Sequence, residues 1–208
     1  MIRLIITDDH PIVKDGIEAI LASEKDITIV AFVNNGNHLL KTLENTSADI
    51  ILMDVNMPGM NGIEATHHVK KKYPNIKILC FSQYDEKRFV KQVLKRGANG
   101  YLLKNAAASE LILALRTIIK GDVYISEELP NIFDEKSQKR SRYSPVKITS
   151  RELDVLNGIC HEKNNREIAR SLMITYNTVE THRSNLLLKV GVKNTAGLVR
   201  WALENNIV

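Results

Sequence analysis

Three carboxylates and one ammonium are the side chains of this sequence best placed to do chemistry. Asp54 closes an apolar run, Ala48-Asp49-Ile50-Ile51-Leu52-Met53, and opens the turn Val55-Asn56-Met57-Pro58-Gly59-Met60-Asn61-Gly62. Asp8 and Asp9 close a second such run, Arg3-Leu4-Ile5-Ile6-Thr7, and Lys104 closes a third, Gly100-Tyr101-Leu102-Leu103. In an open parallel sheet, ligand sites form outside the carboxyl ends of the strands, so acids at two such ends can converge. Their repulsion in a partly buried place then demands a counter-charge: a divalent cation, a lysine or a retained proton. A metal and phosphoryl site is the chemistry this set supports.

The elements that must position these residues alternate along the first part of the chain. Short β-rich runs at Arg3–Thr7, Ile27–Val33, Asp49–Met53, Lys77–Phe81 and Gly100–Leu103 are separated by amphipathic stretches near 11–23, 36–45, 61–72 and 85–96, with another at 106–120. This pattern predicts an α/β doubly wound, five-stranded parallel sheet over residues 1–121. In the last stretch Leu111, Leu115, Ile118 and Ile119 recur at helical spacing, with Ser109 or a neighbour as cap. From 122 to 147 the periodicity gives way to Glu, Lys, Ser and Arg between Pro130 and Pro145, which is linker composition.

A second helical set begins at Thr149-Ser150-Arg151-Glu152, the signature of a capping box. Four helices fit over 148–208, near 150–161, 165–172, 176–190 and 195–205, with Asn164 (paired with Glu167) and Thr175 as further caps. The break Leu172-Met173-Ile174-Thr175-Tyr176 is short enough for a helix-turn-helix. Val179, Leu186 and Val190 share the packed face of the third helix; Asn177, Thr181 and Ser184 lie opposite, with Glu180 beside them.

The net charge of +5 is unevenly spread. Residues 1–135 carry 16 Lys and Arg against 18 Asp and Glu, whereas residues 136–208 carry 13 against 6. A basic module beside a slightly acidic one predicts a polyanionic partner for the former. Cys80 and Cys160 stand far apart in apolar runs and are expected to be buried small hydrophobes rather than zinc or redox ligands. The start of the chain holds only five apolar residues before Asp8, and no segment approaches a membrane span, so a cytoplasmic protein is expected.

On Asp8-Asp9, Asp54 with Asn56-Met57-Pro58-Gly59, Ser82, Tyr101 and Lys104, residues 1–121 resemble the flavodoxin-like receiver domain of two-component systems. Residues 148–208 resemble a LuxR-type helix-turn-helix domain, and together the two are similar to a NarL/FixJ-type response regulator. The resemblance implies that Asp54 accepts a phosphoryl group from a sensor histidine kinase. It implies that Asp8, Asp9, Asp54 and the backbone carbonyl of Asn56 hold Mg²⁺, that Lys104 pairs with phosphoryl oxygens, and that Ser82 and Tyr101 form the switch. In the second module it places base contacts at Glu180, Thr181 and Ser184 on double-stranded DNA, with a dimer seam along the last helix. That seam is expected to include Val199 or Ala202, and the homodimer to form when the protein is phosphorylated.

Further DNA contacts are expected at Arg166, Arg170, Thr178, His182, Arg183, Lys189 and Lys193, with the stem of Arg183 lying on the core. His10, His67 and His68 fit no metal spacing, and a solvated surface is expected for all three. The expected function is transcription regulation, not enzymatic turnover. Aspartyl phosphatases share the strand-end acids, but they place a second acid two residues after the nucleophile. Here His10 follows Asp8 and Asn56 follows Asp54 at that spacing. A flavin site fares worse, because Asp8-Asp9 would repel a nucleotide phosphate.

Overall fold

A computed structural model of the chain describes residues 1–85, 87–129, 146, 148–192, 194–205 and 207, with the side chain of Arg88 left out. The chain divides into two compact units, residues 1–133 and 134–208. Most of the stretch expected as linker, 130–145 and 147, lies outside the described residues.

In the first unit, strands β1 (Ile2–Thr7), β2 (Ile27–Val33), β3 (Ile50–Asp54), β4 (Lys77–Ser82) and β5 (Gly100–Leu103) alternate with α1 (Pro11–Leu21), α2 (Gly36–Thr42), α3 (Gly62–Lys72), α4 (Lys87–Lys95) and α5 (Ala108–Ile119). All pairings are parallel, and with β6 (Tyr124–Ile125) the sheet order is β2-β1-β3-β4-β5-β6. Strands covered on both faces need no polar side, which is why β3 and β5 are buried along their whole length. Alternate residues Leu4, Ile6, Ile50, Leu52, Leu79 and Leu102 form one core with Ile17 and Leu21 of α1 and Leu111, Leu115 and Ile118 of α5. The residues between them, Ile5, Ile51, Met53, Ile78, Cys80 and Tyr101, face the other side by the two-residue period of a strand and are fully buried.

The sixth strand, β6 (Tyr124–Ile125), departs from the five expected and falls where composition reads as linker. Two residues between Gly121-Asp122 and Glu127-Glu128 are too few for a period-two signal. Tertiary hydrogen bonds of the next residue anchor them: Ser126 N donates to Tyr101 O at 3.0 Å, the Ser126 hydroxyl donates to Glu110 Oε1 at 2.7 Å, and Leu103 N donates to Ser126 Oγ at 3.1 Å. α5 also starts without a side-chain cap, on Ala107 rather than Ser109.

The second unit holds α6 (Ser150–Cys160), α7 (Asn165–Leu172), α8 (Tyr176–Val190) and α9 (Thr195–Glu204) around Val155, Leu156, Ile159, Ile168, Val179, Leu186, Leu198 and Ala202. Both expected capping boxes form, Thr149 with Glu152 and Asn164 with Glu167, and Thr175 accepts from Thr178 N to start α8. Met173 turns the chain between α7 and α8 at φ +54°. Ala202 is wholly inside the core, which takes it out of the expected seam, whereas Val199 is only half-buried against that core and Leu203 is exposed.

Candidate functional site

The site begins with register. β1 and β3 are direct neighbours with Thr7 opposite Met53, so the next residues, Asp8 and Asp54, lie side by side. This is where the chain, having gone out from β1 to β2, returns on the far side to β3, the place where doubly wound sheets open a crevice. After β3 the turn folds back sharply: Gly62 N donates to Val55 O at 3.0 Å, and Asn61 caps α3 by accepting from Ile63 N and Glu64 N. A Cβ at Gly62 would stand 2.0 Å from the carbonyl oxygen of Asp54, so only glycine allows α3 to start there.

Lys104, carried past the end of β5, reaches across β4 to the two acids. Its Nζ lies 2.7 Å from Asp8 Oδ2 and 2.9 Å from Asp54 Oδ2. Asp8 is 1% and Asp54 3% exposed. Burial raises the Asp54 carboxyl to about 6, with Lys104 pulling the other way and Asp8 adding to the rise. Burial raises Asp9 as well. Burial also works against the charged form of Lys104, but Asp54 and Asp8 more than offset it and hold its pKa above the ordinary value.

One ammonium therefore faces two buried carboxylates, with a third, Asp9, next to them. Ligand atoms of Asp8, Asp9, His10 and Asp54 lie within 4.8 Å of one another. Among the described residues, the buried side-chain polar atoms without a hydrogen bond are Thr7 Oγ1, Asn56 Oδ1 and Asp9 Oδ1, the last meeting only the ring nitrogen of His10, at 3.0 Å. All three belong to the ends of β1 and β3 or the residues just beyond. Excess negative charge with unclaimed oxygens is a donor set for a hard divalent cation.

His10 is solvated, as expected, but it also belongs to this cluster, which its sequence spacing did not suggest. Its ring is more than half exposed, but Nδ1 lies 3.0 Å from both Asp8 Oδ1 and Asp9 Oδ1. The signal was positional: His10 precedes Pro11, which opens α1, and its N–H folds back to donate to Asp8 Oδ1 at 2.9 Å. A second residue missed by sequence reasoning is Tyr84. The Tyr101 hydroxyl donates to Tyr84 O at 2.8 Å, and Tyr84 N donates to Ser82 Oγ at 3.2 Å. The two expected switch residues thus meet on one backbone unit, which stacking of Tyr84 on Phe89, centroids 4.6 Å apart, holds in place. Gln83, between them, points to the surface.

In the second unit Arg166 and Arg170 are exposed on α7, and Glu180, Thr181, His182 and Ser184 are half-buried along α8. The hydroxyl of Thr181 donates to Asn177 O at 3.0 Å, and the hydroxyl of Thr178 is engaged with Thr175 at 2.8 Å. Arg183 is bolted inside the unit: it donates to Asn165 Oδ1 at 2.7 Å and to the hydroxyl of Thr195, joining the starts of α7 and α9. With Asn164, Asn165, Arg166 and Tyr176 it lines an open cleft of about 750 Å³.

Lys189 is corrected outright. It is 8% exposed and its Nζ lies 2.8 Å from Glu152 Oε2, so it faces the core rather than a polyanion. A wheel position does not decide where a long side chain ends when a buried acid is within reach. Lys193 lies outside the described residues.

Comparison with known proteins agrees with this geometry. The response regulator receiver domain family matches residues 4–116, and the luxR family of bacterial regulatory proteins matches residues 146–202. The chain is 34% identical over 207 residues to the transcriptional regulatory protein MctR of Rhizobium johnstonii, covering 100% of this chain and 95% of that one. It is 33% identical over 214 residues to the oxygen regulatory protein NreC of Staphylococcus aureus, covering 99% of each. Among solved structures it is similar to the response regulator ChrA of a heme-sensing two-component system, with TM-score 0.54, 29% identity and coverage of 100% and 98%. It is also similar to RcsB of Salmonella typhimurium, with TM-score 0.62, 25% identity and coverage of 97% and 98%.

Proposed function

We propose that this chain, which belongs to the response regulators that carry a receiver domain and a LuxR-family DNA-binding domain, is switched by phosphoryl transfer to Asp54. The observation that carries the reading is the seat of Lys104 Nζ between Asp8 and Asp54, at 2.7 and 2.9 Å. An ammonium already bound to the acceptor carboxylate stands ready to hold a phosphoryl oxygen once that carboxylate is esterified. Phosphoryl transfer asks the protein mainly for positioning and for neutralisation of charge. A sensor histidine kinase is the donor: its N–P bond breaks and an Asp54 Oδ–P bond forms.

Asp8, Asp9, Asp54 and the backbone carbonyl of Asn56 are the residues to hold Mg²⁺, and the convergence of the three carboxylates within 4.8 Å, with one ammonium shared by two of them, fits that assignment. When bound, the cation neutralises charge on the transferring group and on the acids around it. This chain's own residues do the rest. Register holds Asp54 beside Asp8, Gly62 lets α3 close behind it, and Asn56 N donates to Asp54 Oδ1 at 3.1 Å, leaving Oδ2 as the oxygen that faces Lys104. Ser82 would exchange Tyr84 N for a phosphoryl oxygen, and the shared attachment of Ser82 and Tyr101 to Tyr84 passes the change to the start of α4.

The receiver in this reading runs through Leu129, since β6 and the buried Leu129 belong to it, and the DNA-binding module starts near Ile148. Glu180, Thr181 and Ser184 of α8 read a major groove, with Glu180 accepting from cytosine amines, while Arg166 and Arg170 contact phosphates. Phosphorylation favours a homodimer that sets two α8 helices on two half-sites.

Incubation with a small phosphoryl donor and Mg²⁺, followed by location of the added mass, tests the assignment. The wild type should gain one phosphoryl group on Asp54, and Asp54→Ala and Asp54→Asn none; an adduct that persists in both variants overturns it. Equal DNA affinity with and without a phosphoryl analogue, across salt and protein concentration, would remove the gating step.

A further inference from the structure

The formal charge of the receiver separates into two halves. Residues 62–97 carry nine Lys and Arg against three Asp and Glu, whereas residues 1–61 carry four against nine. The acidic half is largely answered from within the unit: Asp49 by Arg3 at 2.7 Å, Glu44 by Lys72 at 3.2 Å, Glu18 by Lys14 at 3.7 Å, and Glu24 and Asp26 by Arg116 at 2.5 and 3.1 Å.

The basic half is answered only in part, Lys72 by Glu44. α4 contains no acid between Lys87 and Lys95. It buries Phe89, Val90 and Val93 and turns Lys91 and Lys95, one turn apart, to solvent. Among the described residues Lys71, Lys91, Lys95 and Arg96 are exposed and make no ion pair.

These cations sit on two neighbouring helices or at their ends. α3 packs on α4, and the Cγ of Lys70 stands 3.0 Å from where a Cβ of Gly97 would be, which sets the last turn of α3 beside the end of α4. The Lys70 ammonium is itself occupied, donating to Ile76 O at 2.6 Å and Asn99 Oδ1 at 2.8 Å, and burial together with nearby Lys77 holds its pKa below the ordinary value.

We infer that the α3–α4 face of the receiver is a second polyanion surface, which rests on the phosphate backbone of the DNA held by the helix-turn-helix module. A second copy of this receiver is the poorer occupant, because the acids of its residues 1–61 are mostly paired with its own bases. Duplex DNA brings uncompensated charge at regular spacing, and contact releases its condensed counterions. The DNA-binding module of the same chain brings that polymer within reach, at an effective concentration of order millimolar, so a surface too weak to bind alone contributes when tethered.

The full chain is titrated by fluorescence anisotropy against random-sequence duplexes of about 40 and about 12 bp over a range of salt. The tested variant combines Lys71→Gln, Lys91→Gln, Lys95→Gln and Arg96→Gln. On the long duplex its slope of log affinity against log salt should be shallower than wild type by about 2 to 3, since each phosphate contact contributes about 0.9. Low-salt affinity should drop at least tenfold, and the loss should shrink on the short duplex, which has no room for a second contact.

Identical slopes for variant and wild type overturn the proposal. So does an unchanged slope with loss of concentration-dependent self-association in sedimentation, which would assign the face to a second copy. Mass gain at Asp54 from a small phosphoryl donor reports that the variant receiver is folded. Arg166→Gln with Arg170→Gln, made separately, tests the α7 contacts on which the DNA-binding reading rests. A wild type that binds neither duplex sinks both.

Discussion

Two lysine–carboxylate contacts of nearly equal length serve different ends in this molecule. In the second unit Lys189 Nζ lies 2.8 Å from Glu152 Oε2, one base to one acid, and the same oxygen accepts from Thr149 N at 2.9 Å. In the first unit Lys104 is shared by Asp8 and Asp54, Asp9 stands beside them with the His10 ring 3.0 Å away, and oxygens of Thr7 and Asn56 go unclaimed. A matched buried pair closes a structure. An unmatched one keeps a standing demand for positive charge, and that surplus, rather than burial or distance, separates the candidate site from an internal brace.

Breaking the matched pair should have the largest effect. Lys189→Met leaves Glu152 buried without a counter-charge, at a cost of about 3–5 kcal/mol to the second unit. The single tryptophan, Trp201 in α9, packs on that unit's core and reports its unfolding in urea by fluorescence. Adding Glu152→Gln to Lys189→Met should restore much of the loss. A single variant that unfolds within 1 kcal/mol or so of wild type would mean that the pair braces nothing.

The unmatched site should respond in the opposite direction. The folded-state pKa of Asp54, about 6, lies above the usual carboxylate value, so the folded chain keeps a proton that the unfolded chain has released at mildly acidic pH. Stability from this group is present below the unfolded value near 4 and is lost as pH rises through about 6. Asp54→Asn removes that loss and leaves Lys104 matched to Asp8 alone, remaking the site in the image of the Lys189 pair. Without Mg²⁺ near neutral pH the variant should therefore be more stable than wild type by about 2 kcal/mol, with the difference closing toward pH 4. Mg²⁺ should narrow the gap by stabilising the wild type more than the variant. Thermal melts of both chains across pH, with and without Mg²⁺, decide it; a variant less stable than wild type in metal-free neutral buffer would sink the idea of surplus charge.

What was legible in the sequence follows from how local each signal is. Strand-end acids, the turn after Asp54 and the caps at Thr149, Asn164 and Thr175 are written within a few residues, and the structure carries them almost unchanged. The contacts that went unforeseen are long-range or unpatterned. Lys189 and Glu152 are 37 residues apart, Tyr101 and Tyr84 are 17 apart, and β6 is two residues anchored by bonds of the next, Ser126, to Tyr101, Leu103 and Glu110. His10 was hidden for another reason: a lone histidine carries no spacing pattern, and its place over Asp8 and Asp9 comes from the turn into α1.

The smallest predicted effect asks which of its two duties Glu152 chiefly serves. Its side chain accepts from Lys189 and from the backbone of Thr149, while Glu152 N donates to the Thr149 hydroxyl at 3.2 Å. Thr149→Ala deletes that hydroxyl and half of the capping box but leaves the ion pair and the Thr149 N–H contact in place. The cost should be about 1 kcal/mol, the ordinary worth of an N-cap, and well below that of Lys189→Met. Equal costs in the same urea series would show that closing the first turn of α6, not matching a buried charge, is the acid's main task, and the contrast between the two lysine sites would lose its structural half.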